Sequence, residues 1–359
     1  FRIILRRLFF LVIGVLCLIY TVIGGIEAVV WTDAIQALVL LGGAIICLIV
    51  LLNGAPGGPS GVIETATAND KFSLGSFSIT EFASTTFWVI FLFGLVDNLR
   101  NFGIDQSYIQ RYIASKSDAQ ARRSIWIGSL LYIPVSALFF LIGTTLFSYY
   151  GADQNPDAPG DLNAVYQLVA EQKPPEVRDS LELTDIGDRV FPHFISTQLP
   201  PGLTGLLVAA IFAAAMSTVS TSLNSSATPI MNDFYKRFLN PEATEKSAMK
   251  SLYLGTILWG ILGTSLGLYL VKVTNSALDI WWALSGVIGG AMTGLFLLGL
   301  INKFATSRTA IIATLAGVIT IISITSTSFL NVQMAPVLGL AVTLITGIIC
   351  TTLLKLKNP

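Results

Sequence analysis

Long apolar runs recur along this chain, and they limit what it can fold into more strongly than any other feature. About 20 helical residues are needed to cross the roughly 30 Å hydrocarbon core of a bilayer. Runs of that length predict nine spans, at residues 8–26, 34–53, 86–104, 124–150, 201–220, 252–271, 280–301, 308–328 and 334–354. The 359 residues are 53% hydrophobic and 12% charged, which excludes an ordinary soluble domain. We therefore expect an all-α integral membrane protein with about nine transmembrane helices.

The chain offers few groups for covalent chemistry or for transition metals. Its three cysteines, Cys17, Cys47 and Cys350, lie in predicted spans as small buried hydrophobes, and none has ligand spacing. The single histidine, His193, lies in a polar stretch and is expected at the surface. The sequence contains no nucleophile–base pair and no phosphate-binding loop, so we do not expect an enzyme. The chain begins at Phe1 with no cleavage-site pattern, and we interpret it as an internal piece of a longer protein.

The distribution of lysine and arginine between the connecting segments predicts an orientation in the membrane. If the C-terminus is cytoplasmic, the inner loops and tail carry twelve of these cations, and the outer loops carry five over longer segments. Cytoplasmic loops are usually the richer in Lys and Arg, so we expect a plasma (inner) membrane protein with a cytoplasmic C-terminus. Arg2, Arg6 and Arg7 would then lie outside, against this trend.

Two long connections have the composition of loops. Residues 54–85 contain GAPGGPSG, and residues 151–200 contain GADQNPDAPGD with room for a short helix near 162–172. With the orientation above, both are extracellular. No separate soluble domain is indicated, so residues 1–359 are predicted to form a single transmembrane domain.

The stretch FAAAMSTVSTSLNSSATP (212–229) is unusually rich in hydroxyls for a predicted span. Eight of the twelve residues from position 217 to position 228 carry one. Residues i, i+3 and i+4 share a face of a helix. This spacing places Ala214, Ser217 and Thr218 in one triangle on the helix surface. Ser217, Ser220 and Thr221 form an adjoining triangle, so Ser217 belongs to both.

Two interpretations of this stripe are open. The hydroxyls could bond back to helix carbonyls or assist close helix packing. They could also coordinate a small alkali cation, which takes several hydroxyl and carbonyl oxygens, or line a polar gate.

Asp33, in VVWTDAIQ (29–36), is the residue that discriminates between these interpretations. It lies twenty residues from Asn53, about 30 Å along a helix, and Ser217 lies sixteen residues from Pro201, about 24 Å. The depths are similar, so the carboxylate could reach the hydroxyl stripe and supply the anionic ligand of a cation site. An aspartate at the cytoplasmic interface remains the alternative.

A second polar group lies in the third predicted span, FLFGLVDNLRNFGIDQSYIQR (91–111). Its members are Asp97, Asn98, Arg100, Asn101 and Asp105. Asn98 lies about 16 Å into the span, near the bilayer midplane. Polar groups at the midplane of discontinuous helices are typical of substrate sites in secondary transporters. A structural network in which Asp97 neutralises Arg100 is the alternative.

At these residues the sequence resembles the sodium/solute symporter family, which includes sodium-driven transporters of sugars, sialic acid, proline, pantothenate and monocarboxylates. The matching segments occur in family order and are GGIEAVVWTDAIQ (24–36), DQSYIQRYIASKSDAQARRS (105–124), LPPGLTGLLVAAIFAAAMSTVSTSLNSSATPIMNDFYKRF (199–238) and TGLFLLGLINKFATSRTA (293–310). The resemblance implies a LeuT-like, inverted-repeat helical bundle. The chain would run from the fourth core helix to past the tenth and would lack the first core helices.

The resemblance also implies sites for two sodium ions per cycle. The first would use the Ala214 carbonyl, Ser217 and Thr218, with carbonyls from the absent first core helix. The second, present in only some members, would use the Asp33 carboxylate with Ser217, Ser220 and Thr221. Na⁺ would be the transported coupling ion rather than a resident cofactor.

For the solute, the resemblance points to five positions. The asparagine that sugar transporters use in the sixth core helix falls on Asn98. Their inner-gate tyrosine falls on Asn101, the neighbouring tryptophan on Phe102 and a lysine of the seventh helix on Tyr132, so the chain departs from the galactose-binding pattern. Trp282 is the pocket residue expected from the tenth core helix.

Two functions are consistent with this sequence. The first is sodium-coupled symport of a small organic solute of the sugar, sialic acid or carboxylate class by alternating access. The second is a membrane sensor or receptor that binds solute without productive transport. An ion channel is less consistent, because no segment repeats as a selectivity filter or pore ring. The expected partners are the solute and the lipid bilayer, not nucleic acid, and the sequence leaves the oligomeric state open.

Overall fold

The structure is a computed structural model. It describes the backbone of residues 2–151, 157–171, 173, 175–273, 277–327 and 329–357, and the side chains of these residues except 2–7, 177, 179, 271–288 and 355–357. The α-helices are α1 (Arg2–Gly54), α2 (Gly58–Ala68), α3 (Phe87–Gly103), α4 (Gln106–Ile113), α5 (Asp118–Tyr149), α6 (Leu162–Ala170), α7 (Leu183–Thr197), α8 (Pro201–Pro229), α9 (Glu245–Val273), α10 (Ala277–Ile301), α11 (Ser307–Thr327) and α12 (Met334–Lys357). A 3₁₀ helix (Pro175–Ser180) precedes α7, and a π-helix (Ile230–Leu239) follows α8.

The chain divides into two compact units. The first comprises Phe1–Ser73 and Arg123–Val273, and the second comprises Leu74–Arg122 and Thr274–Pro359.

In the first unit, α1 contains a sharp break at Gly25. Its backbone there has φ 55° and ψ −151°, a conformation that is essentially restricted to glycine. The break separates a first arm, residues 2–24, from a second arm, residues 26–54.

The two arms run in opposite directions along α8. Later residues of the first arm contact later residues of α8. Later residues of the second arm contact earlier residues of α8. The contacting pairs are Phe9–Phe212 and Tyr20–Met216 for the first arm, and Asp33–Thr221 and Gly43–Leu207 for the second. The chain therefore turns back at Gly25, although helical structure resumes at once.

The buried core of the first unit joins the second arm to α5 and to the helices between residues 151 and 200. Its members include Cys47, Leu51, Ile142, Val165, Ile186 and Phe194. Much of the second predicted loop is therefore folded, and the short helix predicted near 162–172 is confirmed as α6. The cysteines are unbridged, and Cys17 and Cys47 are buried as expected.

His193, which was expected at the surface, is only partly exposed. The residue is half-buried, and its Nδ1 lies 2.8 Å from the Tyr150 hydroxyl. The pair ties the end of α5 to α7.

The second unit is built on close contacts of α10, α11 and α12. Glycine and threonine let these helices approach each other, as small residues do in membrane helices. The contacting pairs are Gly290–Pro336, Gly294–Thr343 and Leu298–Gly347 between α10 and α12, and Gly317–Thr343 and Ile321–Gly339 between α11 and α12. This order makes α10 and α12 parallel and α11 antiparallel to both.

Each of the nine predicted spans coincides with a helix apart from single residues at its ends, but fewer helices qualify as membrane-spanning on their own. Within the described residues, six are long and apolar enough, or seven if the bent pair α3 and α4 counts as one span. Three causes explain the difference from nine. The first two predicted spans are arms of the single helix α1, α3 has only 17 residues, and α10 is described with side chains only from Gly289.

Candidate functional site

The hydroxyls of α8 fall into two groups by what they contact. Several donate to a carbonyl three or four residues earlier, as in Thr218 to Ala214 at 3.1 Å and Ser220 to Ser217 at 3.2 Å. This is the back-bonding that the sequence left open as one interpretation. A hydroxyl that donates its hydrogen still has oxygen lone pairs, so back-bonding leaves these oxygens able to accept a cation.

Thr221 belongs to the second group, because its hydroxyl reaches another helix segment. Its Oγ1 donates to Asp33 Oδ2 at 3.0 Å, across 188 residues of sequence. Both side chains are half-buried, and the neighbouring Ser220 is fully buried. The structure therefore brings Asp33 from the second arm of α1 to the hydroxyls of α8, as the depth argument expects. That these groups hold sodium stays a prediction.

The first predicted sodium triangle lies on one turn of α8. Ser217 and Ala214 are half-buried and Thr218 is exposed. The Ala214 carbonyl already accepts the Thr218 hydroxyl. This set consists of three neighbouring groups on a single helix, and its assignment as a sodium site also stays a prediction.

The chemistry of these donors fits an alkali ion and not a transition metal. The residues that surround Asp33 offer hydroxyl and carbonyl oxygens, which are hard ligands. Within the described ranges, no group of three or more His, Cys, Asp or Glu side chains could hold a metal ion.

The polar residues of α3 form a closed ring of hydrogen bonds. Arg100 Nη2 lies 2.8 Å from Asp97 Oδ1 and donates to Asn101 Oδ1 at 3.1 Å, and Asn101 Nδ2 donates to Asp97 Oδ2 at 3.1 Å. This is the neutralised network that the sequence offered as the alternative. The guanidinium also lies against Gly289 of α10, where a Cβ would be 2.8 Å from Nη1.

The remaining members of this polar group have separate contacts. Asn98 is exposed and donates to the Gly94 carbonyl at 2.8 Å. Asp105 caps α4 by accepting from the Ser107 backbone at 2.7 Å. The break between α3 and α4, a bend of 42°, follows from this cap and from the end of α3 at Gly103.

The five predicted solute residues are divided between the two units, and their grouping in one pocket stays a prediction. Asn98, Asn101 and Phe102 lie on α3 in the second unit, where the Phe102 ring is 5.2 Å from that of Tyr108. Tyr132 lies on α5 in the first unit and is 49% exposed. The side chain of Trp282 lies outside the described residues.

Sequence reasoning missed the polar groups of the first arm. The Tyr20 hydroxyl donates to the Met216 carbonyl of α8 at 3.2 Å, and Cys17 Sγ lies 3.7 Å from the same oxygen. The only sequence signal was the i, i+3 spacing of Cys17 and Tyr20 within an apolar run.

The fold and this site define a class. The apolar helices hold a carboxylate and a row of hydroxyls between them, and a broken helix carries further polar groups. This is the architecture of a secondary transporter. The chain belongs to the sodium:solute symporter family, whose model matches residues 7–317. That family consists of transporters, in agreement with the expectation that the chain is not an enzyme.

Three relatives and a solved structure support this membership. The chain is 33% identical to the sodium/sialic acid symporter SiaT of Proteus mirabilis over 95% of its own length and 64% of that protein. It is 30% identical to the sodium/sialic acid symporter NanT of Aliivibrio fischeri, over 96% of its own length and 63% of that protein. It is 31% identical to the mouse (Mus musculus) sodium-coupled monocarboxylate transporter 2, over 85% of its own length and 45% of that protein.

The solved structure is the substrate-bound, outward-open state of a Na⁺-coupled sialic acid symporter, which revealed a novel Na⁺ site in that protein. It matches with a TM-score of 0.80 at 31% identity, over 97% of this chain and 66% of that chain. The all-helical, LeuT-like fold expected from the resemblance is thereby confirmed. The chain spans less than two thirds of the length of these sialic acid symporters.

Proposed function

We propose that the protein to which this chain belongs is a sodium-coupled symporter of a small organic solute. The observation that carries the proposal is the 3.0 Å hydrogen bond from Thr221 to Asp33, inside the hydroxyl row of α8. A carboxylate beside several hydroxyl oxygens within membrane helices is a set of hard ligands that suits an alkali cation. Family membership makes sodium the cation to test first.

Two sodium sites that share Ser217 fit the arrangement of donors. The first takes the Ala214 carbonyl with the hydroxyls of Ser217 and Thr218. These neutral oxygens leave the charge of the ion uncompensated. The second takes the hydroxyls of Ser217, Ser220 and Thr221 with the Asp33 carboxylate, which supplies the compensating charge. Because a hydroxyl ligates without ionising, sodium release needs no proton transfer by these groups.

Coupling follows from linkage between ion and solute. Sodium binding from outside stabilises a state that binds solute more tightly, and the solute raises sodium affinity by the same factor. Low internal sodium then favours release of both. Two ions make this coupling steeper than one.

The solute pocket is proposed to include Asn98, Asn101, Phe102, Tyr132 and Trp282. In the described structure, Asn101 is already bonded to Asp97 and Arg100, which limits its capacity for direct contact with a solute. We propose a small carboxylate such as a sialic acid or monocarboxylate, because the relatives carry those names and the chain departs from the galactose pattern.

The protein is proposed to lie in the plasma (inner) membrane with residue 359 on the cytoplasmic side. The twelve-to-five distribution of Lys and Arg supports this orientation. Residues 54–85 and 151–200 are then extracellular.

The test is sodium-dependent uptake by the full-length protein in proteoliposomes over a panel of sugars, sialic acids and monocarboxylates. We expect a Hill coefficient for sodium near two in the wild type, and near one in Asp33→Ala. Thr32→Ala is a matched control, because among the described residues the Thr32 hydroxyl donates to carbonyls of its own helix, those of Ala28 and Val29. Solute binding without uptake would favour the sensor, and sodium-independent uptake would contradict the symporter.

A further inference from the structure

An apolar cavity of about 320 Å³ lies in the first unit between α5, α6 and α7. Its wall on α5 follows one face of the helix and consists of Phe139, Ile142, Gly143, Leu146, Phe147 and Tyr150. Residues of α7 between positions 183 and 191 form the opposite wall, and Leu162 of α6 also lines the cavity. Phe139 and Leu183 are each 38% exposed, so the cavity is open to its surroundings at these side chains.

The chemistry of the cavity walls suits a hydrocarbon. Tyr150 is the one polar side chain among the described lining residues, and its hydroxyl already lies 2.8 Å from His193 Nδ1. Two glycines, Gly143 and Gly187, help to leave the space open, because a Cβ at either would meet nothing within 4 Å beyond the adjacent helix backbone. An occupant would bury apolar surface and gain few hydrogen bonds, so the cavity does not suit a sugar or another polar solute.

Lys71 places a positive charge beside this cavity. Its Nζ lies 3.9 Å from the centre of the Phe147 ring, which belongs to the α5 wall. The lysine is exposed, and among the described residues no carboxylate oxygen lies within 4.0 Å of its ammonium group. The ring covers one side of the ammonium group, which has three donors, so the group can still bind an anion.

The position of Lys71 along α5 corresponds to the headgroup level of a bilayer. Phe147, under the lysine, follows Arg123 by 24 residues on α5, about 36 Å at 1.5 Å per residue. A bilayer has a hydrocarbon core of about 30 Å and measures about 40–45 Å with its polar regions, so charges about 36 Å apart fit the two headgroup regions. From Phe147 the cavity extends back to Phe139, about 12 Å into the hydrocarbon of one leaflet.

We propose that this cavity binds one acyl chain of a bilayer phospholipid whose phosphate pairs with Lys71. Charge and depth both identify the occupant, because a phospholipid carries its anionic phosphate at the headgroup level and its hydrocarbon below it. The bound chain fills the space beside Gly143 and Gly187 and joins α7 to the end of α5. The inference does not depend on sodium coupling or on the identity of the solute.

The first test measures lipid retention by the full-length protein. The protein is reconstituted in vesicles of phosphatidylethanolamine and phosphatidylglycerol in equal parts, extracted into detergent and analysed by native mass spectrometry. We expect a retained phospholipid on the wild type. Gly143→Leu fills the cavity, and we expect it to lower the retained fraction by about tenfold, the effect of excluding two methylene groups from an apolar site.

The chain offers a matched control for the cavity-filling variant. Gly128→Leu is the same substitution on the same helix, also with open space for the new Cβ, at a position that does not line the cavity. It should retain the lipid as the wild type does. Gly187→Leu fills the cavity from the opposite wall and replaces Gly143→Leu if that variant does not fold. Equal retention in the cavity-filling variants and the control would overturn the proposal.

Lys71→Ala tests the pairing with the phosphate. We expect the retained fraction to fall by about fivefold, the contribution of one lysine near a membrane surface. Lys71→Arg keeps the charge and should retain the lipid. A purely structural role for Lys71 would lower the thermal unfolding midpoint of Lys71→Ala and leave lipid retention unchanged, and that result would overturn the proposal.

Photolabelling locates the bound chain. Phosphatidylglycerol with a diazirine in its acyl chain is added to the same vesicles, and cross-linked peptides are identified by mass spectrometry. We expect cross-links on both walls, in residues 139–150 and 183–191, that Gly143→Leu removes and Gly128→Leu keeps. The proposal is overturned by cross-links that are equal in all variants, by labelling with a diazirine fatty acid but not with the phospholipid, or by the absence of cross-links because another segment of the full-length protein closes the cavity.

Discussion

At the residue scale, the contact between Asp33 and α8 shows what spacing can establish and what it cannot. Helical periodicity placed Ser217, Ser220 and Thr221 on one face, and rise per residue placed Asp33 at a similar depth. Those two rules were sufficient to expect the contact that the structure contains. They could not reveal Tyr20, because a tyrosine in an apolar run has many possible partners and periodicity fixes its face without naming a neighbour.

Thr221 gives a prediction at this scale. Thr221→Val removes the hydroxyl that donates to Asp33 and leaves the side-chain volume nearly unchanged. Because hydrogen bonds to charged groups contribute about 1.5–3 kcal/mol, we expect the sodium concentration for half-maximal uptake to rise by about tenfold or more. Thr221→Ser keeps the hydroxyl and should stay within about twofold of the wild type.

Thr228→Val is the matched control for Thr221→Val. The Thr228 hydroxyl donates to the Asn224 carbonyl of its own helix at 2.9 Å. It should therefore leave the sodium dependence of uptake unchanged. Equal effects of the two valine variants would show that helix packing, and not the contact with Asp33, determines the sodium dependence.

At the scale of elements, apolar runs predicted where helices lie but not how they join. A run of about 20 apolar residues suffices to span a bilayer, so each of the nine predictions falls in a helix. Residues 27–33 were predicted to lie between two spans, whereas the second arm of α1 is already helical from residue 26. The reason is that Gly25 alone reverses the chain, and glycine in an apolar run has several other uses.

Gly25 gives a prediction at this scale. Its backbone conformation is open to glycine and strained for a residue with a Cβ, by about 1–3 kcal/mol. We expect Gly25→Ala to lower the thermal unfolding midpoint by several degrees, because the strain cannot be relieved without moving an arm. Gly42→Ala, at a position of ordinary helical backbone with open space around the new Cβ, is the control and should change the midpoint little. Equal midpoints for the two variants would contradict a glycine-dependent reversal.

At the scale of the whole molecule, the solute site is the part that sequence could least predict. Asp97 and Arg100 were expected either in a pocket or in a neutralised network, and Asn101 was expected in the pocket; composition alone does not distinguish these outcomes. The network is what the structure contains, because i, i+3 and i+4 spacing lets the three side chains satisfy one another on a single helix. A solute pocket depends on groups from several helices, and no single helix carries the information about their arrangement.

The orientation in the membrane is the last prediction. The end of the second arm leads into α2 and lies towards the N-terminal end of α8, whereas α9 begins near the opposite end of α8. Glu64 on α2 and Glu245 on α9 are both exposed, so they form a matched pair on opposite sides. In intact cells, a membrane-impermeant maleimide should label Glu64→Cys, and it should label Glu245→Cys only after permeabilisation. Labelling in the reverse order would place residue 359 outside and would show that the lysine and arginine distribution misled us. Because Cys17 and Cys47 are buried and Cys350 lies within α12, the unsubstituted chain should give the low background that this comparison needs.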